Sequence, residues 1–357
     1  MKFLIVCREA PTQLISARMF KLAKYLRTFH DVTLICQKSE SILPLTHAGI
    51  KVIVETSNFE KLAQLSKKEF DVIIFSNWFL AKVYYAFVKK QFTDAKIVID
   101  ASDLQFVRDE QMLLLNSPYV TTIISSGEVL RNRDDELDMY SLADVCWVSS
   151  VNEKNILQKL SLRTKIEVIP TICSDTNVYT LVKPWHSAYF VGNSYRQSDI
   201  DATEWYMNEI FGSLKAEFTD FTTTLIGNYD EYFIEQHNRE GIKFKTFRSI
   251  EYDVNLCLRQ YAICVLPIRF YSGSDERLVQ ALVNNIPVVT TSVIASSLNL
   301  IDRKEIMIAN TAEEFIKATD ELLSDTYLQE EISINARRKL FEIVNLEQIN
   351  ENIYRNL

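Results

Sequence analysis

The sequence predicts an α/β fold made of two doubly wound, parallel-sheet domains in tandem, and three observations predict it. The chain has 357 residues, longer than one hydrophobic core usually supports. Short β-branched runs alternate with longer amphipathic ones, and the scheme restarts at Ala188. The apolar runs lack strict alternation, so each strand is expected to be covered on both faces, as in a parallel sheet.

In the first half the expected strands are Phe3–Cys7, Val32–Cys36, Val52–Val54, Val72–Phe75, Ile97–Ile99 and Val145–Val148. Helical patterns separate several of them, such as Ala17–Phe29, which sets Phe20, Leu22, Ala23 and Leu26 on one face. Glu167–Pro170 closes this half, and Thr180–Ser187, with Pro184, reads as a linker. Strands are then expected at Ala188–Val191, Thr223–Ile226, Lys243–Phe247, Ile263–Leu266, Pro287–Thr291 and Ile306–Ile308. Helices are expected at Asp201–Lys215 and Ala312–Leu323, before a final amphipathic region, Leu328–Leu357. The domain reading is therefore 1–180, 181–335 and a C-terminal helix, 336–357. Two such domains leave a cleft between the carboxyl edges of their strands, where open α/β sheets bind ligands.

Composition excludes several classes. A formal net charge of -8 argues against a general nucleic-acid binder, which needs clustered Lys and Arg. No apolar run approaches the ~20 residues that span a bilayer. The Phe3–Cys7 run meets Arg8 and Glu9 too soon for a signal-peptide core, so a cytoplasmic protein is expected. Six cysteines without C-x-x-C spacing favour buried free thiols over a disulfide framework or a zinc site. Four histidines, His30, His47, His186 and His237, show no ligand spacing, so no metal site is expected. Only 7 residues are glycine, about 2% against a typical ~7%, so any phosphate loop must use substitutes.

One segment carries chemistry. Cys264–Thr291 runs from a hydrophobic strand through Pro267, Arg269 and a Ser272-Gly273-Ser274 loop into a helical pattern with Arg277 and Gln280. Strand, small-residue loop and a helix with a cation in its first turn make an anion site. Free N–H groups at a helix start point at the ligand, the helix dipole favours negative charge, and Arg adds a fixed fork of donors. The spacing points to a phosphate or diphosphate, and so to a nucleotide-linked ligand. Arg269, at the strand exit, can bind phosphate or pair with Asp275 or Glu276.

The same arrangement resembles the GT-B glycosyltransferases, specifically the GT4-like, nucleotide-sugar-dependent branch. Phe29-His30-Asp31-Val32-Thr33 resembles that family's entry to the second strand. Leu142-Ala143-Asp144-Val145 with Val148-Ser149, and Val168-Ile169-Pro170, resemble a later strand and the exit to the linker. Phe190-Val191-Gly192 with Asp201-Ala202-Thr203-Glu204-Trp205 resembles the opening of the second domain, and Cys264–Thr291 its donor loop without a gap. The resemblance implies two Rossmann-like domains facing across a cleft. It implies sugar transfer from a nucleotide diphosphate donor to a glycan, lipid-linked or protein-linked acceptor, with retention and without a metal held by Asp-x-Asp. Association with a partner subunit or with the inner membrane face stays open.

By position, the resemblance places Gly273 on the second loop glycine and Arg277 on the second of two diphosphate-gripping cations. Asp275 falls on the first cation and reverses its charge. Gln280 stands at a ribose-binding Glu, Asn285 at a Gly, and Ser296-Ser297 at a further loop contact. Arg196 lies in the loop that approaches the donor, Phe247 in the one that holds the nucleobase, and Gln13 in the first loop, which lacks the usual glycine pair.

For catalysis, Asp100 and Asp103 sit at the end of the Ile97–Ile99 strand, and either can orient or deprotonate the acceptor hydroxyl. Asp103 can equally cap the next helix or pair with Arg108. Gln105 replaces the family's His. Trp78, beside Phe79, can stack on an acceptor sugar or belong to the core. The last region is expected to return to the first domain as a hinge element. The alternative reading is a degenerate GT-B subunit that chaperones or regulates a partner transferase.

Overall fold

Seven parallel strands form the first sheet: β1 (Lys2–Glu9), β2 (Asp31–Lys38), β3 (Lys51–Val54), β4 (Val72–Phe75), β5 (Lys96–Ala101), β6 (Val145–Val148) and β7 (Lys165–Val168). This computed structural model describes all residues except 12–16, 39–41, 55–59, 66–68, 121–123, 174–183, 247–253 and 356. The strand order is β3-β2-β1-β4-β5-β6-β7. Phe3 of β1 lies opposite Val32 on one side and Val72 on the other. Leu4, Ile5, Ile73, Ile74 and Ile97–Ile99 are fully buried, which is why these strands read as continuous apolar runs. Helices Ala17–Arg27, Trp78–Gln91 and Val151–Lys159 belong to this half. Two of them start on side-chain caps, with Asn77 accepting from the Leu80 N–H and Ser150 from the Glu153 N–H.

The second sheet repeats the plan with β8 (Ser187–Asn193), β9 (Thr222–Asn228), β10 (Ile242–Lys245), β11 (Ile263–Leu266), β12 (Val288–Thr290) and β13 (Met307–Ile308). Its order is β10-β9-β8-β11-β12-β13, again parallel. Each sheet reverses its direction of growth beside its first strand, at β1/β4 and at β8/β11. Those switch points, at the carboxyl ends of the strands, are where doubly wound sheets hold ligands. Gly192 and Gly227 sit opposite one another on β8 and β9. Gly227 has φ +148°, and a Cβ there would lie 1.8 Å from the Gly192 carbonyl oxygen, so this close pairing requires glycine.

Several boundaries differ from those expected. Ser187 opens β8 instead of ending a linker, and β10 stops at Lys245. The helix expected over Asp201–Lys215 begins at Gln197, passes through a π-helical turn at Tyr206–Ile210 and ends at Glu217. A one-residue insertion of this kind is invisible to a 3.6-residue pattern. His237 closes the helix Glu231–His237, buried and bonded to Glu204.

The chain divides into two compact units. Met1–Phe106, Gly127–Cys173 and Val344–Leu357 form the first, and Val107–Ser126 with Ser174–Ile343 the second. The last helix, Leu346–Tyr354, thus belongs to the first unit. There Asn352 donates to the Val168 carbonyl (2.9 Å) and Tyr354 bonds His30. All six cysteines are free thiols, and burial pushes those of Cys7 and Cys264 up to about 12. Among the described residues no helix is long and apolar enough to cross a membrane.

Candidate functional site

The second unit's switch point gathers most of the predicted donor residues. Where β8 ends, the Asn193 carboxamide oxygen accepts from the Tyr195 and Arg196 N–H groups (2.9 and 2.7 Å), turning the chain into the helix Gln197–Trp205. That turn sets Asp199 in the helix's first turn, and Asn193 Nδ2 donates to it at 3.1 Å. Where β11 ends, the loop through Ser272, Gly273 and Ser274 is buried, and Gly273 adopts φ +87°. Only glycine holds that conformation without strain, which gives this loop its tight return into the helix Glu276–Val283. Asn285, just beyond, takes φ +57°, the left-handed conformation expected of an Asn at a glycine position.

Asp275 caps this helix. Its carboxylate accepts from the Arg277 N–H (2.8 Å), from Nε (2.9 Å) and from Nη2 (2.5 Å). Arg277 Nη1 donates to Asp199 (2.7 Å) and to the Val191 carbonyl (3.2 Å). The Arg277 side chain is 10% exposed and both carboxylates are buried. Burial alone would raise the Asp275 carboxyl, but the adjacent Arg277 charge and its hydrogen bonds outweigh that and hold it below the usual carboxylate range, with Arg196 adding to the effect. Arg277 is itself held firmly protonated: burial opposes its charge, but Asp275 and Asp199 overcome it. The cation expected to grip a diphosphate is therefore saturated by two internal anions.

Arg269 has a different partner from either one expected. It forms a two-point ion pair with buried Asp201 (2.7 and 3.0 Å), donates to Ser117 (2.8 Å) and lies over the Trp205 and Tyr119 rings. Asp201 is 68 residues from Arg269 in sequence, which no local pattern reveals. Nearby, Gln111 accepts from the Tyr271 N–H (2.8 Å). Arg196 is exposed and forms no ion pair with a described residue. Gln280 is half-buried one turn into the helix, and Ser296–Leu298 form a short 3₁₀ turn. Gln13 and Phe247 lie outside the described residues.

The first unit holds the predicted acceptor-side residues. Asp100, on β5, is buried and takes both Nε and Nη2 of Arg18 (3.1 and 2.6 Å), while Arg18 Nη1 donates to the Ile169 carbonyl (2.5 Å). Arg18 was missed by sequence reasoning; a lone Arg among the apolar positions after β1 was its only signal. Asp103 is half-buried, and its charge acts on two buried glutamates. Glu136 accepts from the Gln105 and Phe106 N–H groups (both 2.9 Å), which open the helix Gln105–Leu115, and from Tyr140 OH (2.7 Å). Glu153 accepts from the Ser149 N–H (3.0 Å) and Oγ (2.7 Å). Burial pushes both up to about 7 against these hydrogen bonds. Trp78 is 7% exposed, with its indole N–H on Gln105 (3.2 Å), so its ring belongs mainly to the core. Phe79 beside it is 56% exposed.

Similarity to known proteins follows this geometry. Over nearly the whole chain the structure superimposes on Anabaena HepE in complex with UDP-glucose, with a TM-score of 0.73 at 14% identity, covering 99% of this chain and 98% of that one. The fold is GT-B. Sucrose-phosphate synthase from Thermosynechococcus elongatus shares it, with a TM-score of 0.71 at 14% identity and coverage of 99% and 98%. So does WaaG, a glycosyltransferase involved in lipopolysaccharide biosynthesis, with a TM-score of 0.62 at 12% identity and the same coverage. Residues 186–325, which contain all six strands of the second sheet, match the family model of glycosyl transferases group 1. Among curated protein sequences none matches the chain.

Proposed function

We propose that this protein transfers a sugar from a nucleotide diphosphate sugar, bound at the β8/β11 edge, to a glycan, lipid-linked or protein-linked acceptor, with retention. The observation that carries this reading is the buried loop Ser272–Ser274 leading into a helix start at the second sheet's switch point, inside the segment that matches glycosyl transferases group 1. Support also comes from HepE, whose structures contain UDP and UDP-glucose.

Each residue then has a role. The loop and the helix start would receive the diphosphate, and exposed Arg196 would stabilise the charge of the leaving group. Gln280 would bond a ribose hydroxyl. In the first unit Asp103, half-buried beside Glu136, would orient the acceptor hydroxyl, while Asp100 holds Arg18 in place. As proposed, the reaction needs no protein-held metal, and turnover should survive a chelator.

The test is a panel of UDP-, GDP- and dTDP-sugars, read by melting temperature and by release of nucleoside diphosphate. One donor should raise the melting temperature and be turned over; silence from every donor would overturn the reading. A second reading, the degenerate subunit, is favoured by the saturation of Arg277. It predicts that silence, together with loss of a partner transferase's activity when this chain is removed.

A further inference from the structure

The start of helix Glu276–Val283 carries three donors suited to a phosphate oxygen: the Arg277 main-chain N–H, Nε and Nη2. All three are spent on one carboxylate, that of Asp275, at 2.8, 2.9 and 2.5 Å. Two structural reasons for a carboxylate there can be weighed. As a cap, Asp is not needed, since Asn or Ser caps a helix as well. As a counter-ion it is surplus, because Asp199 already pairs with Arg277 at 2.7 Å. One buried cation with two buried anions leaves a formal charge of one negative unit among the buried groups where a dianionic diphosphate would sit, with exposed Arg196 the further cation acting on Asp275.

We infer that Asp275 is a built-in competitor of the donor: its carboxylate occupies the anion position of the site and must give way before a diphosphate can use the same donors. This inference rests on the donor reading above. It makes Asp275 a specificity-determining residue, because the charge conflict falls on the diphosphate and spares the nucleoside. Ligands of this edge should therefore gain little from their phosphates in the natural protein.

The experiment is calorimetric titration of the full chain, of Asp275→Asn and of Asp275→Ser, with UDP, GDP, dTDP, their nucleosides and inorganic pyrophosphate. Both substitutions keep a capping side chain, and melting temperatures establish that each variant is folded. A nucleoside diphosphate and pyrophosphate should bind the variants at least tenfold more tightly than the natural protein, with nucleoside affinity unchanged. Equal or weaker diphosphate binding by the folded variants would overturn the competitor role while leaving the donor site standing. Failure of every nucleotide and of pyrophosphate to bind any of the three proteins would overturn both.

Discussion

At the carboxyl edge of the first sheet, Arg18 pairs with Asp100, and the half-buried Asp103 acts on Glu136 and Glu153 nearby. At the equivalent edge of the second, Arg277 meets Asp275 and Asp199 while Arg269 holds Asp201. Both edges carry more buried acid than base, and they accommodate it differently. The first lets its surplus titrate: Glu136 and Glu153 accept from N–H and O–H donors, but burial outweighs those bonds and pushes both up to about 7. The second keeps its surplus ionised, because Arg277 bonds Asp275 directly and holds it low. At Asp275 a bonded guanidinium outweighs burial, whereas at Glu136 the N–H and O–H donors do not.

The comparison breaks most visibly when the arginines are removed. Taking one partner from a buried ion pair costs about 3–5 kcal/mol, because the remaining charge is left without compensation. Arg277→Ala strands both Asp275 and Asp199, so it should lower stability in urea unfolding by at least that amount. A smaller loss would mean that Asp199 or Asp275 finds another partner.

The pH dependence of stability sharpens the same contrast. Glu136 is raised from 4.5 to about 7 in the folded protein, so it contributes stability that is full below its unfolded value and is lost as pH rises through about 7. A shift of that size corresponds to on the order of 3 kcal/mol across the window. Glu136→Gln should therefore flatten the fall in stability between pH 4.5 and about 7. Asp275 has the opposite sign: its contribution is present above the ordinary carboxylate value and disappears only as pH falls through its depressed folded value. A Glu136→Gln profile as steep as that of the natural protein would remove Glu136 from the titrating surplus of the first edge.

Much of the fold was legible in the sequence because parallel strands buried on both faces show as plain apolar runs, such as Val72–Phe75 and Ile263–Leu266. Boundaries shifted where a polar residue joins a strand, as Ser187 does, or where a π turn breaks the helical period at Tyr206. The second edge was partly legible, since Asp275 and Arg277 lie two residues apart and the charge reversal is visible locally. The first edge was legible only through Asp100 and Asp103, at the end of an apolar run. Arg18 and Glu136 stand on helices where charged residues ordinarily face water, and their partners come from other elements: Asp100 on β5, and the Gln105 and Phe106 N–H groups at the next helix start. Arg269 and Asp201 pair only through the fold.

The central claim, that the β8/β11 edge of the second unit holds the donor, is tested most directly by hydrogen exchange with and without the nucleotide sugar that the donor panel selects. Protection is expected over Ser272–Gln280 and Asn193–Gln197, at the loop, the helix start and the turn that ends β8. Protection confined to the loops around Asp100 and Asp103, or no change at the second edge under saturating donor, would contradict it.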